Sequence, residues 1–238
     1  MTSALGGSAS IAEPTYWWYR ARTRLLQEVL GTYAASGARV LDVGSADGPS
    51  VAWLRGAQRH ASLDLDPRGL GSNGVCGSAL SLPFADGSFD VVAAFDVVEH
   101  CQPEETAINE IARVLAPGGR FLMSVPAYQW AWSDFDEENG HHRRYTRPRA
   151  QQAVERGGLT VDRATYAFTS VFPFFVAERL ARRLRPESKD AADIVSLPSV
   201  PKPVESLLMG LSRVDAWLLR RTDLPFGSSV VLAATKPA

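Results

Sequence analysis

The stretch VLDVGSADGPS, from Val40 to Ser50, decides the fold that this sequence predicts. It opens with a short apolar run that carries one acid, Asp42, and two glycines, Gly44 and Gly48, frame the loop that follows. Pro49 then stands where a helix would have its first residue. The pattern therefore predicts a strand, a glycine loop and the start of a helix.

The glycine loop indicates a nucleotide-like cofactor. Because Gly44 and Gly48 have no Cβ, a ligand can approach the backbone closely and positive φ is allowed. A glycine turn after a strand also occurs in structural βα units, so the loop alone leaves both interpretations open. Asp64 lies about twenty residues further along, the offset at which a carboxylate meets a ribose diol in a doubly wound sheet. Asp66 competes for this role, although its position before Pro67 is typical of a turn.

Four stretches in a fixed order together resemble a known family. They are VLDVGSADG, SLDLD with Asp64, LPFADGSFDVVAAFDVVEH from Leu82 to His100, and ARVLAPGGRFLMSVP from Ala112 to Pro126. In this order they resemble the class I S-adenosylmethionine-dependent methyltransferases, in the branch of types 11 and 23. The resemblance covers residues 12 to 168 and extends to the final strand.

The resemblance implies an α/β fold, a Rossmann-like doubly wound sheet of seven strands with an antiparallel last strand, plus a helical insertion. It also implies S-adenosylmethionine as the cofactor. Two positions depart from the family pattern: Ala46 replaces the middle loop glycine, and Ser78 stands where an acid often faces the adenine amine. The predicted cofactor-binding residues are Arg22, Asp42, Gly44, Ser45, Gly48, Asp64, Leu65, Ser78, Ala79 and Phe95.

Composition restricts the class of protein. The 238 residues are 45% hydrophobic, which is typical of a globular α/β protein with an added element. A formal net charge of -1 gives no general attraction for nucleic acid, so a nucleic-acid substrate is not expected. The N-terminal sequence has no signal-peptide pattern, and two isolated cysteines are expected to be reduced, so the sequence predicts a cytoplasmic protein.

The chain divides into four predicted segments. Residues 1–35 form an arm and a capping helix, residues 36–168 the cofactor-binding core, residues 169–226 a helical insertion, and residues 227–238 the final strand of the core. The insertion contains a basic amphipathic stretch at 171–186, for which a lid, a homodimer contact and a peripheral membrane contact are all open interpretations.

Two aromatic groups predict a pocket for the methyl acceptor. Tyr16 and Trp18 belong to a cluster of four aromatics at the first helix, more than a small core needs there. Trp130 and Trp132 follow the fifth predicted strand, at the ligand end of the sheet, where they can exclude water.

Histidines and a tyrosine at the same end are the predicted catalytic residues. His100 follows the fourth strand and has a pKa near neutrality, which suits proton transfer. His141, His142 and Tyr145 lie in the rich loop after the fifth strand. Three acids of that loop, Asp134, Asp136 and Glu137, offer a metal interpretation with the histidines, but without a recognised ligand spacing no metal is predicted.

The predicted function is transfer of a methyl group to oxygen or nitrogen of a small molecule, such as a sugar or a secondary metabolite. Three alternatives stay open at this stage. They are methylation of a lipid-linked acceptor at a membrane surface, a non-catalytic protein that binds S-adenosylmethionine, and an NAD(P)-dependent oxidoreductase, which would share the glycine loop and Asp64.

Overall fold

A seven-stranded sheet forms the centre of the molecule. The computed structural model describes residues 15–34, 37–44, 52–55, 59–183 and 200–238. The strands lie in the order β3, β2, β1, β4, β5, β7, β6, and β7 runs antiparallel to both of its neighbours. The predicted fold, with an antiparallel last strand between the fifth and sixth, is confirmed. The strands are β1 (Arg39–Val43), β2 (Arg59–Asp64), β3 (Gly74–Cys76), β4 (Phe89–Phe95), β5 (Leu115–Pro126), β6 (Thr160–Ala167) and β7 (Ser229–Thr235).

Two layers of helices cover this sheet. The helices are α1 (Trp17–Leu30), α2 (Ala52–Arg55), α3 (Glu104–Val114), α4 (Asp134–Glu138), α5 (Arg147–Arg156), α6 (Phe172–Arg183) and α7 (Lys202–Leu219). Helix α1 packs against α7 and β7, whereas α3 packs against β5 and α5. The central strand β4 is consequently buried along almost its whole length, as its apolar sequence FDVVAAF predicts.

The insertion is fixed to the N-terminal helix rather than to the sheet alone. Helix α7 buries Met209, Ala216 and Leu219. Arg20 of α1 lies 3.3 Å from Glu205, and Arg220 makes a two-pronged contact of 2.7 Å with Glu28 of α1. Helices α1 and α7, which lie far apart in the sequence, therefore form one layer. The four-segment division itself stays a prediction, and residues 1–14 and 184–199 lie outside the described residues.

Two strand predictions differ from the structure. The sequence Pro117-Gly118-Gly119 predicts a turn and a fifth strand that begins at Arg120. In the structure β5 begins at Leu115, because the helix ends at Val114 and the extended backbone pairs with β4 immediately. The predicted loop 68–75 ends in the short edge strand β3, which pairs with β2 from Ser62 onward. Edge strands of three residues carry too little periodicity to be read from sequence.

Within the part of the chain that the structure describes, no helix combines the length and the apolar character needed to cross a bilayer.

Candidate functional site

The carboxyl ends of the parallel strands form one edge of the sheet, where α/β proteins bind ligands. Gly44 follows β1 with φ of +71°, and its amide donates to the carbonyl of Leu63 at 2.6 Å. A Cβ at Gly44 would lie 2.5 Å from Cγ2 of Val97, so a glycine is required at this point. Ser45 and Gly48, the other predicted loop ligands, lie outside the described residues.

The end of β2 presents a carboxylate and an exposed apolar side chain. Asp64 accepts a hydrogen bond of 2.9 Å from the amide of Asp66, and the neighbouring Leu65 is 74% exposed. Asp66 instead binds Arg68 and caps the short turn at Pro67–Gly69. Asp66 therefore acts as a turn residue, and Asp64 remains the candidate for the ribose-binding acid.

The other predicted cofactor residues lie around the same strand ends. Gly77 donates its amide to the carbonyl of Asp64 at 2.9 Å, and the Ser78 hydroxyl accepts from the amide of Leu80 at 3.1 Å. Ala79 is buried. Phe95, at the end of β4, is buried under Trp53 with 6.3 Å between ring centroids.

Asp42 lies within β1 rather than at its end. It is fully buried, and its Oδ2 is 3.8 Å from Nε2 of His60 on the neighbouring strand.

Arg22 reaches the edge from α1 and binds a carboxylate of the protein. Its Nη2 lies 2.9 Å from Oδ2 of Asp96 and 3.2 Å from the Ser124 hydroxyl, which itself donates to Asp96 at 3.0 Å. The guanidinium also lies 5.5 Å from the Trp18 ring centroid. A small cavity lies beside this group and is lined by Arg22, Leu25, Leu26, Ser124, Ala167, Phe168, Ser229 and Val231.

His100 and His141 meet at the ends of β4 and β5. Their rings touch edge to face, with 4.6 Å between centroids. Nδ1 of His141 lies 2.8 Å from Oδ1 of Asp136, which also accepts from Nε of Arg144 at 2.8 Å. Burial alone would raise the pKa of Asp136, but the hydrogen bonds from His141 and Arg144 outweigh it and lower that pKa to about 2. His141 is therefore held in a fixed orientation by a carboxylate that stays ionised.

Glu99 adds a buried acid to this pair. Its side chain is wholly buried, and neither carboxylate oxygen has a hydrogen-bond partner among the described residues. Burial, reinforced by the charge of Asp96, raises the pKa of Glu99 well above its usual range. Partial burial, reinforced by His141, lowers the pKa of His100. The three ligand atoms that Glu99, His100 and His141 can offer all lie within 4.8 Å of one another.

Two of the predicted catalytic residues lie apart from this group. Tyr145 is fully buried and donates its hydroxyl to Glu104 at 2.6 Å, and burial together with that acid raises its pKa. This position does not fit the predicted contact with an acceptor, because no surface of the ring is open to one. His142 has an exposed side chain, and its amide donates to the carbonyl of Glu99 at 2.8 Å.

The predicted acceptor-pocket aromatics belong to two separate stacks. Trp18 stacks on Phe168 with 5.9 Å between ring centroids, and Tyr16 packs on other aromatics of α1. Trp130, 41% exposed, stacks on Tyr128 at 5.7 Å, in a layer that continues onto α6. Trp132 donates its indole NH to Glu137 at 3.2 Å.

The edge combines a glycine turn with an acid after β2, and the sheet has an antiparallel last strand. Known proteins with similar sequences or folds indicate the family in which this combination occurs. Residues 41–123 match the family model described as "Methyltransferase domain". This segment therefore belongs to the methyltransferase domains of the class I S-adenosylmethionine-dependent type. Its branch is type 11, as the sequence motifs indicate. S-adenosylmethionine is the cofactor that this domain implies.

Similar proteins differ widely in what their names describe. The biotin biosynthesis bifunctional protein BioHC of Cellvibrio japonicus is 33% identical over 138 residues, which is 51% of this chain and 27% of that protein. The crystal structure of the cyclase SpnF superposes with a TM-score of 0.60 at 22% identity, covering 93% of this chain and 83% of that one. The chain spans less than half the length of the first curated relatives that it matches.

A third similar protein was solved with bound ligands. It is the 1,6-didemethyltoxoflavin-N1-methyltransferase of Burkholderia thailandensis, solved with bound 1,6-didemethyltoxoflavin and S-adenosylhomocysteine. The TM-score is 0.55 at 16% identity, with 100% of this chain and 94% of that chain covered. At such identities the likeness establishes the fold.

The described edge fits the family's cofactor by its chemistry. Asp64 offers carboxylate oxygens of the kind that bind a ribose diol, and exposed Leu65 beside it offers an apolar surface of the kind that an adenine covers. The turn at Ser78 brings a hydroxyl and backbone groups next to the same acid. Arg22 already binds Asp96, so its assignment to the cofactor carboxylate stays a prediction.

Several residues of this edge were missed by sequence reasoning. Ser124 lies inside β5 and looks like an ordinary strand residue, yet it joins Arg22 to Asp96. Arg144 resembles a surface cation in HHRRY, yet it is buried against Asp136. An available signal was the acid and histidine pattern DFDEENGHH, since an acid placed before a histidine often orients its ring.

Proposed function

We propose that this methyltransferase transfers a methyl group to an oxygen or nitrogen atom of a small molecule. The observation that carries the proposal is the cluster of Glu99, His100 and His141 at the ends of β4 and β5, on the same sheet edge as Asp64. Hydroxyl and amine acceptors lose a proton on methylation, and this cluster concentrates the groups that can manage a proton.

The protein's own contribution is binding, orientation and proton management. S-adenosylmethionine, when bound, supplies an electrophilic methyl group. Asp64 and Leu65 would hold it, and the aromatic rings of Trp18 and Trp130 would exclude water around the acceptor. Asp136 would keep His141 in one orientation, since its carboxylate is already bound to Nδ1.

A second candidate, a lipid-linked acceptor, is favoured by one specific observation. Helices α6 and α7 expose large apolar side chains: Phe174 is 55% exposed, Leu180 50%, Leu207 54% and Trp217 52%. Such side chains can insert into a membrane surface. The predicted basic face is weaker than expected, because Arg179 turns inward onto Phe175 and the Ser133 hydroxyl.

Isotope transfer separates the two candidates. The untagged protein is incubated with methyl-labelled S-adenosylmethionine and a cell extract divided into a small-molecule fraction, an organic lipid fraction and a macromolecular fraction. We expect label in the small-molecule fraction. Label only in the lipid fraction would establish the second candidate, and binding of the cofactor without transfer to any fraction would indicate a non-catalytic protein.

Two variants test the assignment of the cluster. His141→Ala is expected to lower label transfer at least tenfold and to leave the affinity for S-adenosylmethionine within about twofold. Asp64→Ala is the matched comparison, because it should weaken the affinity for S-adenosylmethionine and affect turnover of the bound cofactor less. Equal turnover in His141→Ala and the wild type would remove this histidine from the mechanism.

A further inference from the structure

Glu99, His100 and His141 come together from two distant segments of the chain. Glu99 and His100 belong to the short helical turn Val98–His100 after β4, and His141 follows α4 in the loop after β5. Their ligand atoms lie within 4.8 Å of one another, yet Glu99 makes no hydrogen bond to either histidine. Two ligand atoms bound to one tetrahedral metal ion at about 2.0–2.1 Å lie roughly 3.4 Å apart, so a small side-chain adjustment would bring the three atoms to coordinating distances.

Glu99 is the independent sign that something is bound here. Its carboxyl group is wholly buried and both oxygens lack a hydrogen-bond partner among the described residues. Burying a carboxyl group without any partner is unfavourable, because the hydrogen bonds that it makes to water are lost and not replaced. A cation between Glu99 and the histidines would provide the missing partner.

The surroundings of His141 match those of a metal-binding histidine. Its Nδ1 is already bound to Asp136, so the lone pair of Nε2 remains for an ion. Asp136 is held in turn by Arg144 and by the amide of Ser133 at 2.9 Å. A ligating histidine commonly gives its other ring nitrogen to a carboxylate in this way, which fixes the tautomer and the ring plane.

We propose that Glu99, His100 and His141 bind a divalent transition-metal ion of the Zn²⁺ or Mn²⁺ type. Two imidazoles with one carboxylate suit such ions and disfavour Mg²⁺, which prefers oxygen ligands. Three protein ligands leave coordination positions open, as in catalytic rather than structural sites. The sequence predicts no metal because it shows no recognised ligand spacing, and the ligands in fact come from separate segments. Asp134, Asp136 and Glu137, the acids considered from the sequence, are not in the cluster, although Asp136 binds Nδ1 of His141.

The open positions suggest what the ion does, and this role rests on the proposed methyl transfer. The ion would bind the hydroxyl or amine of the acceptor through a lone pair and lower its pKa. The released proton would leave to solvent on the exposed side of the cluster, where the side chains of His100 and His142 are open. His100 and His141 then act as metal ligands that orient the acceptor.

Metal binding is measured without any acceptor. The untagged protein is stripped with a chelator and titrated calorimetrically with ZnCl₂, MnCl₂ and MgCl₂. We expect Zn²⁺ or Mn²⁺ to bind with a 1:1 ratio and at least tenfold more tightly than Mg²⁺, and X-ray absorption to show nitrogen and oxygen ligands without sulfur. A sulfur ligand would assign the ion to a cysteine and overturn the proposal.

Two variants and one control identify the ligands. His141→Ala and Glu99→Gln are each expected to weaken metal binding tenfold or more. Glu138→Gln, which changes an exposed acid at the end of α4, should leave it unchanged. Glu99→Gln replaces a buried carboxyl group that has no hydrogen-bond partner with a neutral amide of the same size. We therefore expect the variant to fold, to keep or raise the Tm of the stripped protein, and to lose the increase in Tm that Zn²⁺ gives the wild type. A folded Glu99→Gln with wild-type metal affinity would overturn the proposal.

The same preparation separates this proposal from the proposed function. Titration with S-adenosylmethionine is carried out on the stripped and the metal-loaded protein. Cofactor binding without metal binding would refute the metal site and leave methyl transfer standing. Metal binding without cofactor binding would refute methyl transfer and leave the metal site standing.

Discussion

The ends of β1 and β2 and the ends of β4 and β5 form neighbouring parts of one edge, yet they are built differently. The first part consists mainly of backbone, small side chains and one acid, Asp64, beside the exposed Leu65. The second part is a network of buried charges in which Asp136 binds His141 and Arg144. A shared cofactor needs only a shaped backbone and a few polar groups. The second part is the proposed acceptor site; an acceptor needs side chains fixed in place, and the denser network would provide them.

The largest effect is expected from breaking the network of Asp136, His141 and Arg144. Arg144→Met should lower the free energy of unfolding by about 3 kcal/mol, because it leaves the buried Asp136 charge without its guanidinium partner. Urea denaturation measures the loss. The matched control is Arg39→Met, whose pair with Asp90 has side chains 43% and 42% exposed, and it should cost less than about 1 kcal/mol. Equal losses in the two variants would show that the network is not a buried one.

The same network predicts a pH effect with a defined sign. The pKa of Asp136 is about 2, below its ordinary value of 3.8, so the folded state favours the ionised form. Its contribution to stability is complete above about pH 4 and is lost as the pH falls toward 2. In Arg144→Met the loss should begin at a higher pH. Acid titrations of the two proteins, followed by circular dichroism, check this shift.

The next effect concerns the cofactor side. Gly44→Ala should lower the free energy of unfolding by about 2–4 kcal/mol, because it combines a positive φ with a Cβ that would lie 2.5 Å from Val97. Gly140→Ala is the control, since Gly140 has φ of +68° but nothing within 4 Å of an added Cβ. It should cost about 1 kcal/mol. The difference between the two variants measures the packing of the glycine turn against Val97.

A smaller effect sharpens the assignment of the ribose-binding acid. Asp64→Ala should weaken binding of S-adenosylmethionine by about tenfold or more, because charged hydrogen bonds to the cofactor are lost. Asp66→Ala should leave the affinity unchanged, since Asp66 binds Arg68 and caps a turn. Calorimetric titration of both variants decides between them. Unchanged affinity in Asp64→Ala would contradict the site assignment.

The smallest effect tests the exposed apolar surface of the same part. Leu65→Ser should weaken binding of S-adenosylmethionine by about threefold through loss of apolar contact. The free energy of unfolding should stay within about 0.5 kcal/mol, because the side chain is 74% exposed in the protein without ligand. A loss of stability without a loss of affinity would place Leu65 in the packing of the fold instead.

The sequence by itself determined the sheet and the cofactor part of the edge. The apolar run before Gly44, the acid at Asp64 and the buried strand β4 are local patterns, and backbone geometry follows from local pattern. The antiparallel last strand and the cofactor followed from the family resemblance that these motifs carry. In this part the predicted cofactor residues lie in short local motifs, so spacing along the chain was informative.

Only the tertiary structure decided the acceptor part. It brought Glu99 to His141, turned Arg144 inward onto Asp136, and showed that Tyr145 is buried against Glu104. These contacts join segments separated by a strand or a helix, and burial of a charge depends on every element packed around it. Sequence spacing carries no such information, because the environment that sets a side chain's partner and pKa is formed only when the chain folds.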